Sequence, residues 1–286
     1  MSAISSAPRQ FSARPRKSLG QHFLVDSRVL ARIVAAADLD EADVVVEVGP
    51  GRGALTRRLL PRVARVIAIE MDDNLAETLP ARLDNPPNLS VVAGDARTID
   101  LSQILEAGQP YKVVANLPYY AANPIIRRFL ESEPRPSSMV TMVQREVADS
   151  MTAPPGKMTL LSVATQFYAS ARTVCQVPPA AFRPPPKVTS TVVRLALLPS
   201  RSLEEGDAAG FFDLVRAGFS APRKQLRNSL GHGLGIGSQE SMQLLETAGI
   251  DGSRRAETLE LEEWLETYRQ WKRLGQSLAV AREKVC

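Results

Sequence analysis

The chain is poor in the side chains on which much enzyme chemistry depends. It has only two cysteines, Cys175 and Cys286, in 286 residues. Neither stands in a C-x-x-C motif, and one possible pair makes no disulfide framework. Its two histidines, His22 and His232, leave little material for a zinc site or a Ser-His-Asp triad, so no metal is expected. No apolar run approaches the roughly 18 residues that a membrane span needs. Arg9, Arg14, Arg16 and Lys17 near the N-terminus are not followed by an apolar stretch or a cleavage pattern of a secretory signal. These absences lead to the expectation of a cytoplasmic protein without membrane contact, active as a monomer. With 44% hydrophobic and 23% charged residues the chain is globular, and its length suggests one large domain or two.

Acidic residues are missing locally rather than globally. The formal charge is only +4, yet three stretches hold no Asp or Glu. Met1 to Val25 is the first. Ser150 to Leu203 carries Lys157, Arg172, Arg183, Lys187, Arg194 and Arg201, interleaved with Phe167, Tyr168 and Phe182; Leu214 to Gln239 carries Arg216, Arg223, Lys224 and Arg227. Any one of them reads equally well as a solvated face. Together they suggest a phosphate backbone as partner, bound by a surface on which the three converge.

What is present is a regular alternation. From Asp43 to Leu198, short β-branched runs alternate with helical segments, the pattern of a parallel sheet covered by helices. Val44 to Val48 reads as a strand buried on both faces, ending in Gly49-Pro50-Gly51-Arg52-Gly53, with a helix over Ala54 to Leu60. Val63 to Ile69, closed by Glu70, is the second strand. Leu89 to Val92, followed by Gly94-Asp95-Ala96, is the third, and Lys112 to Ala115, followed by Asn116-Leu117-Pro118-Tyr119, the fourth. Each polar cluster thus falls at the C-terminal end of a strand, where open α/β sheets bind ligands. Pro199 to Asp207 reads as a linker, and the remainder as a small helical domain, giving domains of 1–200 and 201–286. Gly231-His232-Gly233-Leu234-Gly235-Ile236-Gly237 has no strand before it and reads as a flexible connection between helices.

A glycine-rich turn between strand and helix lets a ligand approach the backbone, although a tight turn alone would explain it. Glu70, 21 positions after Gly49 on the next strand, is placed to accept from both ribose hydroxyls, and Asp95 from an adenine amino group. Such a site fits a nicotinamide dinucleotide or S-adenosylmethionine, and the fourth strand's loop decides between them. An exocyclic adenine amine is a poor nucleophile because its lone pair is delocalised into the ring. The Asn116 side-chain oxygen and the Leu117 carbonyl, accepting its two N–H groups, draw the nitrogen toward sp3 geometry; Pro118 fixes the loop and Tyr119 stacks on the base.

Carried by these residues, the sequence resembles the ribosomal RNA small-subunit adenine N6-dimethyltransferase family of the KsgA/RsmA type. The resemblance runs from about Lys17 to about Leu259. It takes in Lys17-Ser18-Leu19-Gly20-Gln21-His22-Phe23-Leu24, Glu47-Val48-Gly49-Pro50-Gly51, Gly94-Asp95-Ala96, the Asn116 to Tyr119 loop, Gln144-Arg145-Glu146-Val147, Pro184-Pro185-Pro186-Lys187-Val188, Arg223-Lys224 and Arg227-Asn228-Ser229-Leu230. The last segments are far more specific than the glycine loop, which methyltransferases share generally. Lys157-Met158-Thr159-Leu160 lacks the Tyr-Gly of many members, and Asn123-Pro124 replaces a usual Ser-Pro or Thr-Pro.

The resemblance implies a Rossmann-like S-adenosylmethionine-dependent α/β methyltransferase domain with an N-terminal cofactor lid, plus a small all-α C-terminal domain that binds RNA or the ribosome. It implies that Gln21, His22 and Leu24 close over the methionine end of the cofactor, with Gly49 and Gly51 beneath. Glu70 would hold the ribose, and Asp95 and Ala96 the adenine. Asn116 would lie where cofactor and target meet, and Phe182 would form the second face of an adenine sandwich opposite Tyr119. Arg183, Lys187, Arg223, Lys224 and Arg227 would contact RNA. The implied reaction is dimethylation of N6 on two adjacent adenosines in the 3′-terminal hairpin loop of 16S rRNA, within an assembling small ribosomal subunit. The alternatives are a large-subunit (23S) rRNA adenine methyltransferase and a non-catalytic assembly factor that binds RNA; a dinucleotide-dependent oxidoreductase is disfavoured by the glycine spacing and the fourth-strand loop.

Overall fold

The computed structural model of the protein describes residues 21–131, 133–198 and 207–283. They fall into two compact units. The first comprises residues up to Arg145 together with Thr173–Leu195, and the second Glu146–Arg172 together with the residues from Ala196 onward.

The first unit is built on strands β2 (Val44–Val48), β3 (Arg65–Glu70), β4 (Leu89–Ala93), β5 (Lys112–Asn116) and β6 (Ser138–Gln144). They lie in the order β4-β3-β2-β5-β6, all parallel. Every residue of β2 is buried, as its unbroken apolar run requires of a central strand covered on both faces. Helices α1 (Ser27–Ala37), α2 (Thr56–Leu59), α3 (Asp73–Arg82) and α4 (Ala122–Glu131) follow or precede these strands. α1 begins at Asp26, whose carboxylate accepts from the N–H groups of Arg28 and Val29, satisfying two donors left over by the helix start. The strand order turns back at β2, so the loops after β2 and β5 leave a crevice between them at the C-terminal edge. After β6 the chain forms α5 (Arg145–Met151) and α6 (Leu160–Tyr168), then β7 (Ala169–Val177), the short β8 (Phe182–Arg183) and β9 (Ser190–Leu197). β9 and β7 extend the sheet beyond β6. β8 instead pairs antiparallel with β1 (Phe23–Leu24), setting Leu24 opposite Phe182.

The second unit contains α7 (Asp207–Phe219), α8 (Leu226–Leu234), α9 (Ser238–Thr247) and α10 (Leu261–Glu283). Its core gathers many of the chain's scarce aromatics: the Phe167 ring lies 5.0 Å from Phe211 and 5.3 Å from Phe212, and Trp264 is fully buried. Composition places the boundary at residue 200, but packing does not. The apolar faces of α6 and its approach, Met158, Val163, Ala164 and Phe167, belong to this aromatic core, so 146–172 join the C-terminal helices. The expected linker lies almost wholly outside the described residues. The glycine-rich 231–237 segment is also not a free connection: α8 continues to Leu234 and ends on Gly235 with φ 68°. Its glycines permit close packing, since a Cβ on Gly233 would stand 2.5 Å from Ala217 Cα. Among the described residues no helix is long and apolar enough to cross a membrane.

Candidate active site

The loops at the C-terminal ends of β2, β3, β4 and β5, roofed by β1 and Phe182 of β8, line one cavity. It brings together Gln21, His22, Leu24, Gly49, Gly51, Glu70, Asp95, Ala96, Asn116, Leu117, Pro118, Tyr119 and Phe182. All belong to the first unit. Gly49 and Gly51 take φ of 69° and 58°, a region that strains any residue with a Cβ. A Cβ on Gly51 would also meet the Phe23 ring at 3.0 Å.

Glu70 is 6% exposed. Its Oε2 accepts from Gly51 N–H and its Oε1 from Asp72 N–H, each at 3.0 Å. Burial raises its pKa, and the two backbone donors work against that rise. The side chain expected to receive a ribose therefore already ties the glycine loop to the start of α3. Asp95 is differently engaged. Arg97 approaches both its oxygens, with Nε at 3.0 and 2.9 Å and Nη2 at 2.6 Å, and this pairing holds the carboxyl below the usual range. Any ligand donor that reaches Asp95 would have to share it with Arg97, a partner not expected from the local sequence. Ala96 is buried beside it.

Two of the residues expected to close over the cofactor, Gln21 and His22, also make hydrogen bonds within the chain. Gln21 donates its side-chain amide to Asp72 Oδ2 at 3.3 Å. The His22 Nδ1 lies 2.8 Å from Pro184 O; since a carbonyl only accepts, Nδ1 carries the proton. The His22 ring stacks on Tyr119 with centroids 5.9 Å apart at 28°, and its carbonyl accepts from Asn116 Nδ2 at 3.4 Å. His22 thus touches the target loop, the proline-rich loop and Asn116. Loss of the ring removes a hydrogen bond and a stacking contact, each of order 1 kcal/mol. His22→Ala should lower kcat on RNA about tenfold and leave the affinity for S-adenosylhomocysteine within about threefold of wild type, measured by single-turnover kinetics and calorimetry.

The expected Tyr119–Phe182 sandwich is not open as it stands. Tyr119 is half-buried, anchored by its hydroxyl to Ser190 Oγ at 2.6 Å, and its ring is stacked on by His22. Phe182 is only 1% exposed and packs with Leu24 and Val29 in the core. It lines the cavity as part of its wall, because pairing with β1 turns the ring inward. Asn116 is the better placed group. With Nδ2 given to the His22 carbonyl, Oδ1 is left as the acceptor, in a loop held by Leu117 N–H donating to Met142 O at 3.2 Å.

One residue of the site was not singled out from the sequence. Glu47 is 1% exposed, lines the cavity, and its Oε2 makes no hydrogen bond among the described residues. Burial pushes its pKa up to about 8; the Thr56 dipoles offset part of that and neighbouring Glu70 adds to it. A carboxylate inside the run Val44 to Val48 is the signal that could have found it, because charge is rarely buried in a central strand without a use.

The basic residues are spread over both units. Arg183 and Lys187 are exposed in the first; Arg223 and Lys224 are exposed in the second, and Arg227 is half-buried there on α8. Of the three acid-free stretches, residues 1–20 lie outside the described residues, the second stretch is divided between the units, and the third belongs to the second unit.

A family model described as ribosomal RNA adenine dimethylase matches residues 12–272. The curated protein named ribosomal RNA small subunit methyltransferase A from Dehalococcoides mccartyi is 46% identical over 254 residues, covering 89% of this chain and 87% of its own length. The protein of the same name from Pelotomaculum thermopropionicum is 42% identical over 268 residues, covering 90% and 91%. Among solved structures, a dimethyladenosine transferase from Plasmodium falciparum superposes with a TM-score of 0.76 at 26% identity, covering 89% of this chain and 98% of that one. The 23S rRNA methyltransferase ErmE superposes with a TM-score of 0.69 at 29% identity, covering 87% and 98%. With a family match over most of its length and the glycine loop, Glu70, Asp95 and Asn116 gathered around one cavity, the chain belongs to the ribosomal RNA adenine dimethylase family.

Proposed function

We propose that the protein uses S-adenosylmethionine to dimethylate N6 of two adjacent adenosines in the 3′-terminal hairpin loop of small-subunit rRNA, acting as a cytoplasmic monomer on the assembling subunit. The observation that carries this reading is Asn116 at the end of β5, its amide N–H donated to the His22 carbonyl and its Oδ1 left as acceptor. The curated relatives above 40% identity are named for the small subunit, whereas the 23S enzyme is 29% identical. That difference favours the small subunit.

The cavity fits the cofactor. Positive-φ glycines keep Cβ atoms out of its floor, Glu70 and Asp95 stand at the ends of successive strands, and Glu47 Oε2, without a hydrogen bond among the described residues, is left for a polar group of the ligand. When bound, S-adenosylmethionine supplies a methyl group on a sulfonium, an electrophile needing no metal and no activation. The chain's own residues prepare the other reactant. Accepting hydrogen bonds from the adenine amine, Asn116 Oδ1 and the Leu117 carbonyl favour a pyramidal nitrogen whose lone pair is free to attack. Asn116 and Leu117 hold the attacking nitrogen, while the displaced electron pair would pass to the sulfur of a cofactor bound above Gly49 and Gly51. The amine proton then leaves to water. Tyr119, fixed by Ser190, and the proline-stiffened loop around Phe182 hold the base, so catalysis rests on positioning. Removing a loop adenosine from its stack costs less than opening a duplex. The basic residues of both units are proposed to bind the RNA phosphates.

Labelled S-adenosylmethionine with small subunits lacking the modification should yield N6,N6-dimethyladenosine at two adjacent positions. Label confined to large-subunit RNA would overturn the reading.

A further inference from the structure

The three acid-free stretches omit a basic surface that only the fold assembles. Along the sequence Arg28 and Arg32 are separated from Arg58 and Arg62 by Asp38, Asp40, Glu41, Asp43 and Glu47. In the structure α1 packs beside α2, and Ala31, Ala35, Arg58 and Arg62 line one shallow groove between them. Arg28 and Arg32 share the helix face of Ala31 and Ala35, at spacings of three and four residues. All four arginines are exposed. Neither helix contains an Asp or Glu.

The carboxylates that border this face are engaged. Asp26 caps α1, Glu47 is buried in β2, and Asp38, at the end of the groove, stands 3.6 Å from Arg194. Arg57, the other arginine of α2, points elsewhere, toward Asp84 and the Arg82 carbonyl. Arg62 donates one N–H to the Arg58 carbonyl at 3.0 Å, which orients its guanidinium along the groove and leaves further N–H groups to bind. Between the arginines the groove is lined by Ala31, Val34, Ala35 and Leu39, with Asp38 at its end. The groove itself lies along the later part of α1, but the helix starts beside the active site: it follows on Val25, which is 51% exposed and lines the catalytic cavity.

We propose that the α1–α2 face is a second RNA-docking surface, on which Arg28, Arg32, Arg58 and Arg62 hold phosphates of the RNA stem flanking the target adenosines. The inference rests on the rRNA substrate proposed above. Phosphate contacts fix register without reading sequence, which is what a site acting on two adjacent adenosines needs from its flank. An acidic protein surface is the competing partner; the phosphate backbone is favoured because the four exposed arginines run along helices that contain no Asp or Glu, and α1 starts beside the cavity a nucleotide must enter.

The test is the salt dependence of binding to the naked hairpin RNA, for the full chain and for R28A/R32A/R58A/R62A. Each lost phosphate contact reduces the slope of log K against log salt by about 0.7–0.9, so the quadruple variant should lose about 3 from the slope and weaken about 10²–10³-fold near 0.1 M salt. S-adenosylhomocysteine affinity and the thermal melt should be unchanged, and the four Arg→Lys replacements should restore most of the slope. The pairs R28A/R32A and R58A/R62A, each expected to lose about 1.5, replace the quadruple variant should it fold poorly. A folded variant with the wild-type slope overturns the proposal, and so does one that binds naked RNA normally but loses the assembled subunit, which would mark a protein partner. Should the wild type neither bind nor methylate the RNA, the substrate reading itself fails, a result visible before any variant is compared.

Discussion

Asn116→Ala should cut the rate of methyl transfer about 10²–10³-fold, the usual cost of removing one positioned hydrogen-bonding group from a developing charge. Among the described residues the Asn116 side chain bonds to the His22 carbonyl, whereas the glycine loop is held by Glu70 and by Ile69 O. S-adenosylhomocysteine binding, measured by calorimetry, should therefore stay within about threefold of wild type, and the loss should appear in kcat rather than KM. Asn116→Asp separates acceptance from charge: it keeps an acceptor but loses the amide N–H given to His22, and should recover only part of the rate. Turnover near normal in the alanine variant would show that the amine needs no acceptor from this side chain.

The largest expected effect on stability comes from Glu47→Gln. The buried carboxyl, with its pKa raised from 4.5 to about 8, keeps its proton in the folded chain at a pH where the unfolded chain has released it. Folding then takes up a proton, so stability falls as pH rises from about 4.5 toward about 8 and levels off beyond. Movement over that range corresponds to on the order of 5 kcal/mol at most, before relaxation or water entry reduces it. The ligand-free Glu47→Gln protein should lose most of this slope and melt several degrees higher than wild type at pH 8, while differing little near pH 4.5. Thermal melts at three pH values decide it. A variant that melts lower than wild type at pH 8 would mean that the carboxylate is ionised and partnered in the folded state.

The sheet and the order of its functional loops were legible because they depend on local pattern. Val44 to Val48, Leu89 to Val92 and Lys112 to Ala115 are apolar runs broken by glycine or asparagine, and the observed strands agree to within a residue at each end. The residues gathered at the cavity follow from that topology. What escaped were the partners that arise over long separations. His22 meets Pro184 across 162 positions and Tyr119 meets Ser190 across 71, and no local pattern encodes either. Arg97 was hidden for the opposite reason, since an arginine two residues after an aspartate reads as ordinary surface. The helices α5 and α6 show why the domain boundary was misplaced: an amphipathic face reveals that a helix packs, never against what. The α1–α2 surface was invisible along the chain because five carboxylates stand between its two pairs of arginines in the sequence.

The second unit's discontinuity has a consequence for synthesis. Its α6 contributes Phe167 to a core whose other members, from Phe211 to Tyr268, lie up to about a hundred residues later. Residues 173–195, needed by the first unit, leave the ribosome in between. At about 5–20 residues per second, the apolar face of α6 waits on the order of ten seconds for its partners, while the catalytic unit already has all its strands. The chain therefore emerges with the strands of its catalytic unit complete before its helical half can close, and for that interval Phe167, Val163 and Met158 are without the later residues they pack against.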